Sequence, residues 1–268
     1  MVNSDTLLEG KDLRFRYEGG SEDVVRGVDL ALDAGEVVCV IGPNGAGKST
    51  LLRLLAGLER PAVGDVRLGG EPVRSIPAKE RARRLALVPQ ALFALPSLTV
   101  EEFVGQGRYS RSRFLRGPSP EDRAAVAAAL SDADLVGLEE RSLDELSGGQ
   151  RQRALVARAL AQEPRVVLVD EPTNSLDPRH QLQVFELIAG MGCLGRAALV
   201  VTHDLNLASQ FATRVILIDQ GEVRASGSVH EVLRPDVLGA VYGEDLAFGA
   251  RRVVGWDEER PWVLPWRG

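Results

Sequence analysis

Val37-Val38-Cys39-Val40-Ile41-Gly42-Pro43-Asn44-Gly45-Ala46-Gly47-Lys48-Ser49-Thr50 decides the fold of this 268-residue chain. Its first five residues are uniformly apolar, as in a strand buried on both faces of a parallel sheet. Leu51, Leu52, Leu54, Leu55 and Leu58 then recur at helical spacing, so the glycines between fall in a strand-to-helix turn. Such a turn cradles phosphate. Glycine backbones curl successive N–H groups around the oxygens, and the helix N-terminus adds partial positive charge. Lys48 supplies a mobile cation for the β and γ phosphates, and the Ser49 hydroxyl is placed to ligate Mg²⁺. A plain glycine turn is the bland alternative, yet with 28 glycines and only three lysines in the chain, a chance G-x4-G-K-[ST] has a probability on the order of 0.2%.

The totals bound the rest. The length suits one large domain or two small ones with a sizeable core. A content of 44% hydrophobic and 26% charged residues is that of an ordinary globular protein. The net charge of -6 argues against a nucleic-acid partner. Two cysteines, Cys39 and Cys193, form neither a disulfide framework nor a metal spacing, which fits a reducing cytosol. No apolar run reaches the roughly 18 to 20 residues that span a bilayer, and the N-terminus lacks a basic-then-apolar signal, so a membrane role would come through a partner.

Along the chain, residues 6 to 17 and 24 to 32 alternate apolar and polar positions, the pattern of antiparallel strands. Tyr17, at the turn between them, could stack on a purine or simply cover the core. Leu85-Ala86-Leu87-Val88 reads as a strand stopped by Pro89, with Gln90 at its end, either near a Mg²⁺ shell or as a plain loop glutamine. From Thr99 to about Leu135 the pattern is helical. Its second helix opens at Ser119-Pro120-Glu121-Asp122. Between the helices, Arg108 to Arg116 interleaves four arginines with two aromatics, either a grip for a partner or a solvated loop.

Leu146-Ser147-Gly148-Gly149-Gln150 opens a helix running to Gln162, with Ser147 as N-cap. A Gly-Gly pair at a helix start leaves N–H groups bare and suggests a second anion site. Val166-Val167-Leu168-Val169 is another fully apolar strand and ends in Asp170-Glu171. An acid in that place holds Mg²⁺, the part of Asp170, and Glu171 next to it can orient and polarise an attacking water. Ala197 to Val201 ends in Thr202-His203, with Asp204 as cap of the next helix, which puts His203 at the same sheet edge as Gly42 and Asp170, in reach of a γ-phosphate. His180 and His230 are expected at the surface. Val215–Ile218 and Glu222–Ala225 form a last hairpin. The tail from Gly243 holds all three tryptophans, Trp256, Trp262 and Trp266. Docking on the chain's own body is expected, an interface being the alternative.

Gly42 to Thr50, Gln90, Leu146 to Gln150, Val166 to Glu171, Ser175-Leu176-Asp177 and His203 stand in the order and spacing of an ABC transporter nucleotide-binding domain, which residues 6 to about 242 resemble. The resemblance implies an α/β P-loop NTPase (RecA-like) fold. Its mostly parallel core would span about 1–89 and 163–242 with an N-terminal antiparallel β subdomain, its inserted α-helical subdomain about 90–162, and the Trp-rich tail 243–268. It further implies ATP and Mg²⁺ as ligands and a head-to-tail homodimer with ATP sandwiched between Ser147, Gly148, Gly149 and Gln150 of one copy and the cradle of the other. In this likeness Tyr17 stacks on adenine, Gln90 senses Mg²⁺ and the membrane subunit, and Asp177 couples the two sites. Lys48, Glu171, His203 and Gln90 form the catalytic set, and Ser49, Asp170 and Gln90 the metal set.

His180-Gln181 after Leu176-Asp177-Pro178, the run His203 to Ala208 and the short tail are most similar to importer ATPases serving iron-siderophore, haem or vitamin B12 permeases. This implies transmembrane permease subunits, an extracytoplasmic substrate-binding protein, and a cytoplasmic chain held at the inner face of the membrane. A soluble, non-transport ABC ATPase or another transporter class is the alternative. It is disfavoured because the chain has one cassette and no long insert between Lys48 and Asp170.

Overall fold

Apolar pentapeptides that bury both faces have to lie side by side with cover above and below. The structure, a computed structural model, describes residues 5–92, 97–111, 117–174, 176–192 and 194–266. The chain opens with β1 (Thr6–Phe15), β2 (Val25–Asp33) and β3 (Val37–Ile41), then α1 (Lys48–Leu55), β4 (Val63–Leu68), β5 (Glu71–Pro72), α2 (Ala78–Arg84) and β6 (Leu85–Val88). A helical stretch follows, with α3 (Val100–Gly105), a 3-10 turn over Gln106–Ser110, α4 (Pro120–Asp132) and α5 (Gly148–Ala161). The core resumes with β7 (Val166–Asp170), α6 (Pro178–Gly192), β8 (Ala197–Val201), α7 (Leu205–Phe211), β9 (Arg214–Asp219) and β10 (Glu222–Gly227). Short helices α8 (Val229–Val232) and α9 (Pro235–Tyr242) precede a terminal hairpin of β11 (Leu246–Arg252) and β12 (Glu259–Pro265).

The central sheet has the order β10-β9-β3-β8-β7-β6. All its strands run parallel except β10, which is antiparallel at the edge. Val38, Val40, Leu168, Leu199 and Val201 point to one face, where α1 and the antiparallel sheet β2-β1-β4-β5 cover them. Cys39, Ile41, Val167, Val169 and Val200 point to the other, against helices of the helical stretch and α6. With both faces covered, every position of such a strand has to be apolar. The neighbours β3, β8 and β7 therefore end side by side, and their carboxyl ends carry Gly42, Thr202-His203 and Asp170-Glu171 to one edge.

Two expectations are corrected here. The helix after the cradle stops at Leu55, and Leu58, read as part of its apolar stripe, is 60% exposed, because the chain turns through Gly57 at a φ of 68°. The second concerns the arginine-rich stretch. Arg108 is buried, giving Nε to Asp122 at 2.9 Å and Nη1 to Ala161 O and Glu163, both at 2.7 Å. Arg111 reaches Gln162 O and Glu163 O, each at 3.1 Å. The last carbonyls of α5 lack intrahelical donors, and these arginines supply them. They are therefore spent inside the chain rather than on a partner, while residues 112–116, together with Ser175 and Cys193, lie outside the described residues.

Removing Arg108 would strand the Asp122 carboxylate in a buried place. Arg108→Gln is expected to cost about 3–5 kcal/mol of stability, measured by urea denaturation. Burial alone would raise the Asp122 carboxyl, but hydrogen bonds from Arg108 and Ser119 outweigh it and hold it below the usual range. That contribution is present at neutral pH and is lost as pH falls through the lowered value.

The tail docks on the chain's own body. Trp256 Nε1 donates to Gln210 O at 2.8 Å, and the Asn206 amide exchanges hydrogen bonds with the Val263 backbone at 2.9 and 3.0 Å.

Candidate nucleotide site

The cradle starts where β3 ends. Gly47 caps α1 in the left-handed region at φ 95°, and a Cβ there would sit 2.5 Å from Val24 O. Only glycine fits. Pro43 O accepts from Ala46 N at 3.2 Å, which curls the loop and leaves Asn44 and Gly45 exposed at its tip. Lys48 is 5% exposed and turns back over the loop, donating to Gly42 O at 2.8 Å and Pro43 O at 2.9 Å. Burial lowers its ammonium pKa, with the charges of Glu171 and Asp170 opposing. Neutral carbonyls are modest partners for a buried cation, and phosphate oxygens are better ones.

Thr50 is buried, and its Oγ1 lies 3.0 Å from Tyr17 OH. Tyr17 also sets its ring edge-to-face with Phe15, centroids 4.8 Å apart, and remains 40% exposed. Beside them, Ser49 Oγ donates to Asp170 Oδ1 at 2.9 Å. Burial raises the Asp170 carboxyl pKa, and the Ser49 bond acts against it. A hydroxyl and one carboxylate in contact are the hard-oxygen pair that fits Mg²⁺, whose other positions are filled by water and substrate phosphates. Among the described residues there is no group of three or more His, Cys, Asp and Glu that could hold a metal by itself.

Glu171 is the meeting point. Its N–H is tied to Val201 O at 2.9 Å, and its φ of 42° is uncommon for a side-chain-bearing residue. Glu171 Oε2 accepts from Asn174 Nδ2 at 2.6 Å, lies 3.5 Å from Gln90 Nε2, and is 3.5 Å from His203 Nδ1. Gln90 arrives from the end of β6 and His203 from the end of β8, the strands flanking β7. Asp204 fixes the His203 turn by accepting from Asn206 N and Leu207 N, both at 2.9 Å. A carboxylate that accepts from two side-chain amides and has an imidazole beside it, at the sheet edge, can orient a water and take its proton. Asn174 went unread in the sequence. Its only signal is an amide three residues after the acid, and the turn through Pro172 that brings it back is a matter of backbone shape.

Ser147 to Gln150 stand apart from this cluster. Ser147 Oγ accepts from Gln150 N at 3.2 Å and Gln150 Oε1 from Ser147 N at 2.9 Å, a reciprocal cap on α5. As the first helical residues, Gly148 and Gly149 have N–H groups without intrahelical acceptors. His180, expected at the surface, is half-buried instead. Its backbone N–H donates to Asp177 Oδ1 at 3.0 Å, its Nδ1 lies 2.7 Å from Asp177 Oδ2, and its ring leans on Gly149, where a Cβ would come within 2.6 Å. Asp177 and the Gly149 turn are thereby joined, whereas His230 is exposed.

A cradle of this build on a sheet of this order is the mark of a P-loop nucleoside triphosphatase. Among the described residues no helix is long and apolar enough to cross a membrane. The ABC transporter family profile matches residues 25–174, from the start of β2 to Asn174. The hemin import ATP-binding protein HmuV of Pseudomonas entomophila is 42% identical over 232 residues, covering 85% of this chain and 89% of that protein. The ferric enterobactin transport ATP-binding protein FepC of Escherichia coli is 38% identical over 244 residues, covering 91% and 89%. A solved structure of a metal-chelate type ABC transporter in an inward-facing conformation superposes with a TM-score of 0.81 at 26% identity, over 98% of both chains. The chain belongs to the ABC transporter family, as one of its ATP-binding cassettes.

Proposed function

We infer that this chain is the ATP-hydrolysing subunit of an importer that moves an iron chelate, a siderophore complex or haem, through a separate membrane permease. The observation that carries the hydrolytic part is the convergence of Gln90, Asn174 and His203 on Glu171, beside the Ser49–Asp170 pair. The cargo class is supported by similarity to hemin and ferric enterobactin subunits along most of their length.

In this reading the loop N–H groups of Gly42 to Thr50 and the ammonium of Lys48 bind the β and γ phosphates of ATP, and Tyr17 stacks on adenine. Mg²⁺, held by Ser49 and Asp170 with Gln90 in reach, would neutralise charge on the phosphates. Glu171 orients the attacking water and accepts its proton, with Asn174 holding its carboxylate in place. His203 turns its ring to the γ-phosphate. The bare Gly148 and Gly149 N–H groups, with Ser147 and Gln150, close on the γ-phosphate bound by a second copy, and Asp177 links the two sites. Dimer closure on ATP and opening after hydrolysis then move the permease, against which the chain sits at the inner membrane face, with a substrate-binding protein delivering cargo from outside.

Asn174→Ala is expected to lower kcat for ATP hydrolysis by about tenfold or more, the worth of a hydrogen bond to a charged group, with nucleotide affinity nearly unchanged. Steady-state kinetics beside equilibrium nucleotide binding would separate the two. The transport reading is tested by reconstituting the chain with a candidate iron-chelate permease and its binding protein. Haem or a ferric siderophore, added with the binding protein, should stimulate ATP turnover severalfold. Turnover indifferent to every iron chelate would remove the cargo assignment and leave the ATPase standing.

A further inference from the structure

A cleft of about 1100 Å³ lies where the β11–β12 hairpin meets α6 and α7, away from the nucleotide site. Its floor holds Arg260, 6% exposed, with the guanidinium carbon 3.5 Å from the centroid of the Trp256 ring. Arg260 Nη2 donates to Ala212 O, the C-cap of α7, at 2.6 Å. Its Nε is buried and has no acceptor. Fastening the hairpin needs only the stack and the Ala212 bond, so this orphaned N–H on a buried cation is an uncompensated cost. The acid whose charge acts on Arg260 is Glu258, and that carboxylate lies 3.5 Å from His230.

Arg251 and Arg252 line the same cleft, are exposed, and form no ion pair among the described residues. Glu186 is the one carboxylate among the lining residues, against three arginines. Aromatic surface completes it. Trp262 lies against Gly249, where a Cβ would fall 2.2 Å from the indole, and Phe211 contributes from the end of α7.

We propose that this cleft binds a small planar organic anion of the aromatic carboxylate class, its carboxylate held by Arg260 together with Arg251 and Arg252 and its ring against the indoles. A guanidinium lining the cleft matches a carboxylate, and the exposed Arg251 and Arg252 draw anions toward it. Inorganic anions could use the charge but not the aromatic walls, and neutral rings the reverse. The site stands whether or not the transport reading holds.

Intrinsic fluorescence gives a direct test, because every tryptophan of the chain, Trp256, Trp262 and Trp266, belongs to this hairpin region. The intact chain is titrated with benzoate, with cyclohexanecarboxylate and inorganic phosphate as comparisons, following tryptophan emission and heat in parallel. Benzoate should give a saturable change, with both comparisons binding at least about tenfold more weakly. Arg260→Gln should weaken benzoate by about tenfold, and the double variant Arg251→Gln, Arg252→Gln by about threefold to fivefold, with ATP hydrolysis unaltered in the double variant. Arg260 also ties the hairpin to α7, so the exposed pair is the decisive variant. No saturable response in the unaltered chain, equal affinity in the double variant, or cyclohexanecarboxylate binding as well as benzoate would each overturn the proposal.

Discussion

Glu171→Gln should lower steady-state ATP hydrolysis by about a hundredfold to ten-thousandfold, the usual range for a general base, while ATP binding persists. The amide keeps the size of the carboxylate and an oxygen that can still accept from Asn174, so the local packing is preserved. What disappears is the negative charge to which the polarising of water is assigned. Because the cradle and the Ser49–Asp170 pair are untouched, ATP still enters and the dimer still closes, but the reaction that reopens it stalls. Phosphate release, a nucleotide titration and size-exclusion chromatography with ATP test the three parts. Near-normal phosphate release would take Glu171 out of the role assigned to it. Loss of ATP binding would instead mean that the substitution had damaged the cradle.

Lys48→Ala is expected to act one step earlier. The Lys48 ammonium is buried, and its hydrogen bonds among the described residues go to two backbone carbonyls, Gly42 O and Pro43 O, which a triphosphate can replace with charged oxygens. Truncating one partner of a buried charge pair typically costs about 2–5 kcal/mol, so ATP affinity should fall by at least about thirtyfold and hydrolysis with it. The fold should survive, since Leu51, Leu52, Leu54 and Leu55 still bury α1 in the core. Calorimetric titration of ATP and a thermal melt, run on both variants, distinguish them: Lys48→Ala loses binding, Glu171→Gln loses only turnover. Unchanged ATP affinity in Lys48→Ala would mean that the loop N–H groups alone hold the triphosphate.

Both expectations start from residues that were legible in the linear sequence, and the reason is local. A strand covered on both faces shows an unbroken apolar run, as Val37–Ile41 and Ala197–Val201 do. Caps act over three residues, so Ser119, Ser147 and Asp204 could be read directly as helix starts. Once the strands are parallel neighbours, the residues just past their carboxyl ends must share an edge, which brings the cradle, Asp170, Glu171 and His203 within reach of one another.

Long side chains were less legible. The sequence around Arg108 is compatible with a partner grip or a solvated loop. Its actual destination, Asp122, Glu163 and the end of α5, depends on the 3-10 turn being packed against α5. His180 is expected at the surface because its helix face is polar, and its contact with Gly149 comes from outside that helix. Asn174 reaches Glu171 because the chain between them reverses.

By itself, then, the sequence determined the sheet, the cradle and the order of the groups along its edge, since apolar period, glycine turns and caps are settled by residues a few positions apart. Tertiary structure alone decided which donors gather on Glu171, where Arg108 is spent, how Asp177 and Gly149 are joined through His180, and that the tryptophan-bearing tail folds back on α7 around Arg260. Those outcomes depend on which surfaces meet across tens of residues, and a partner brought in from so far away leaves no periodic trace in the chain.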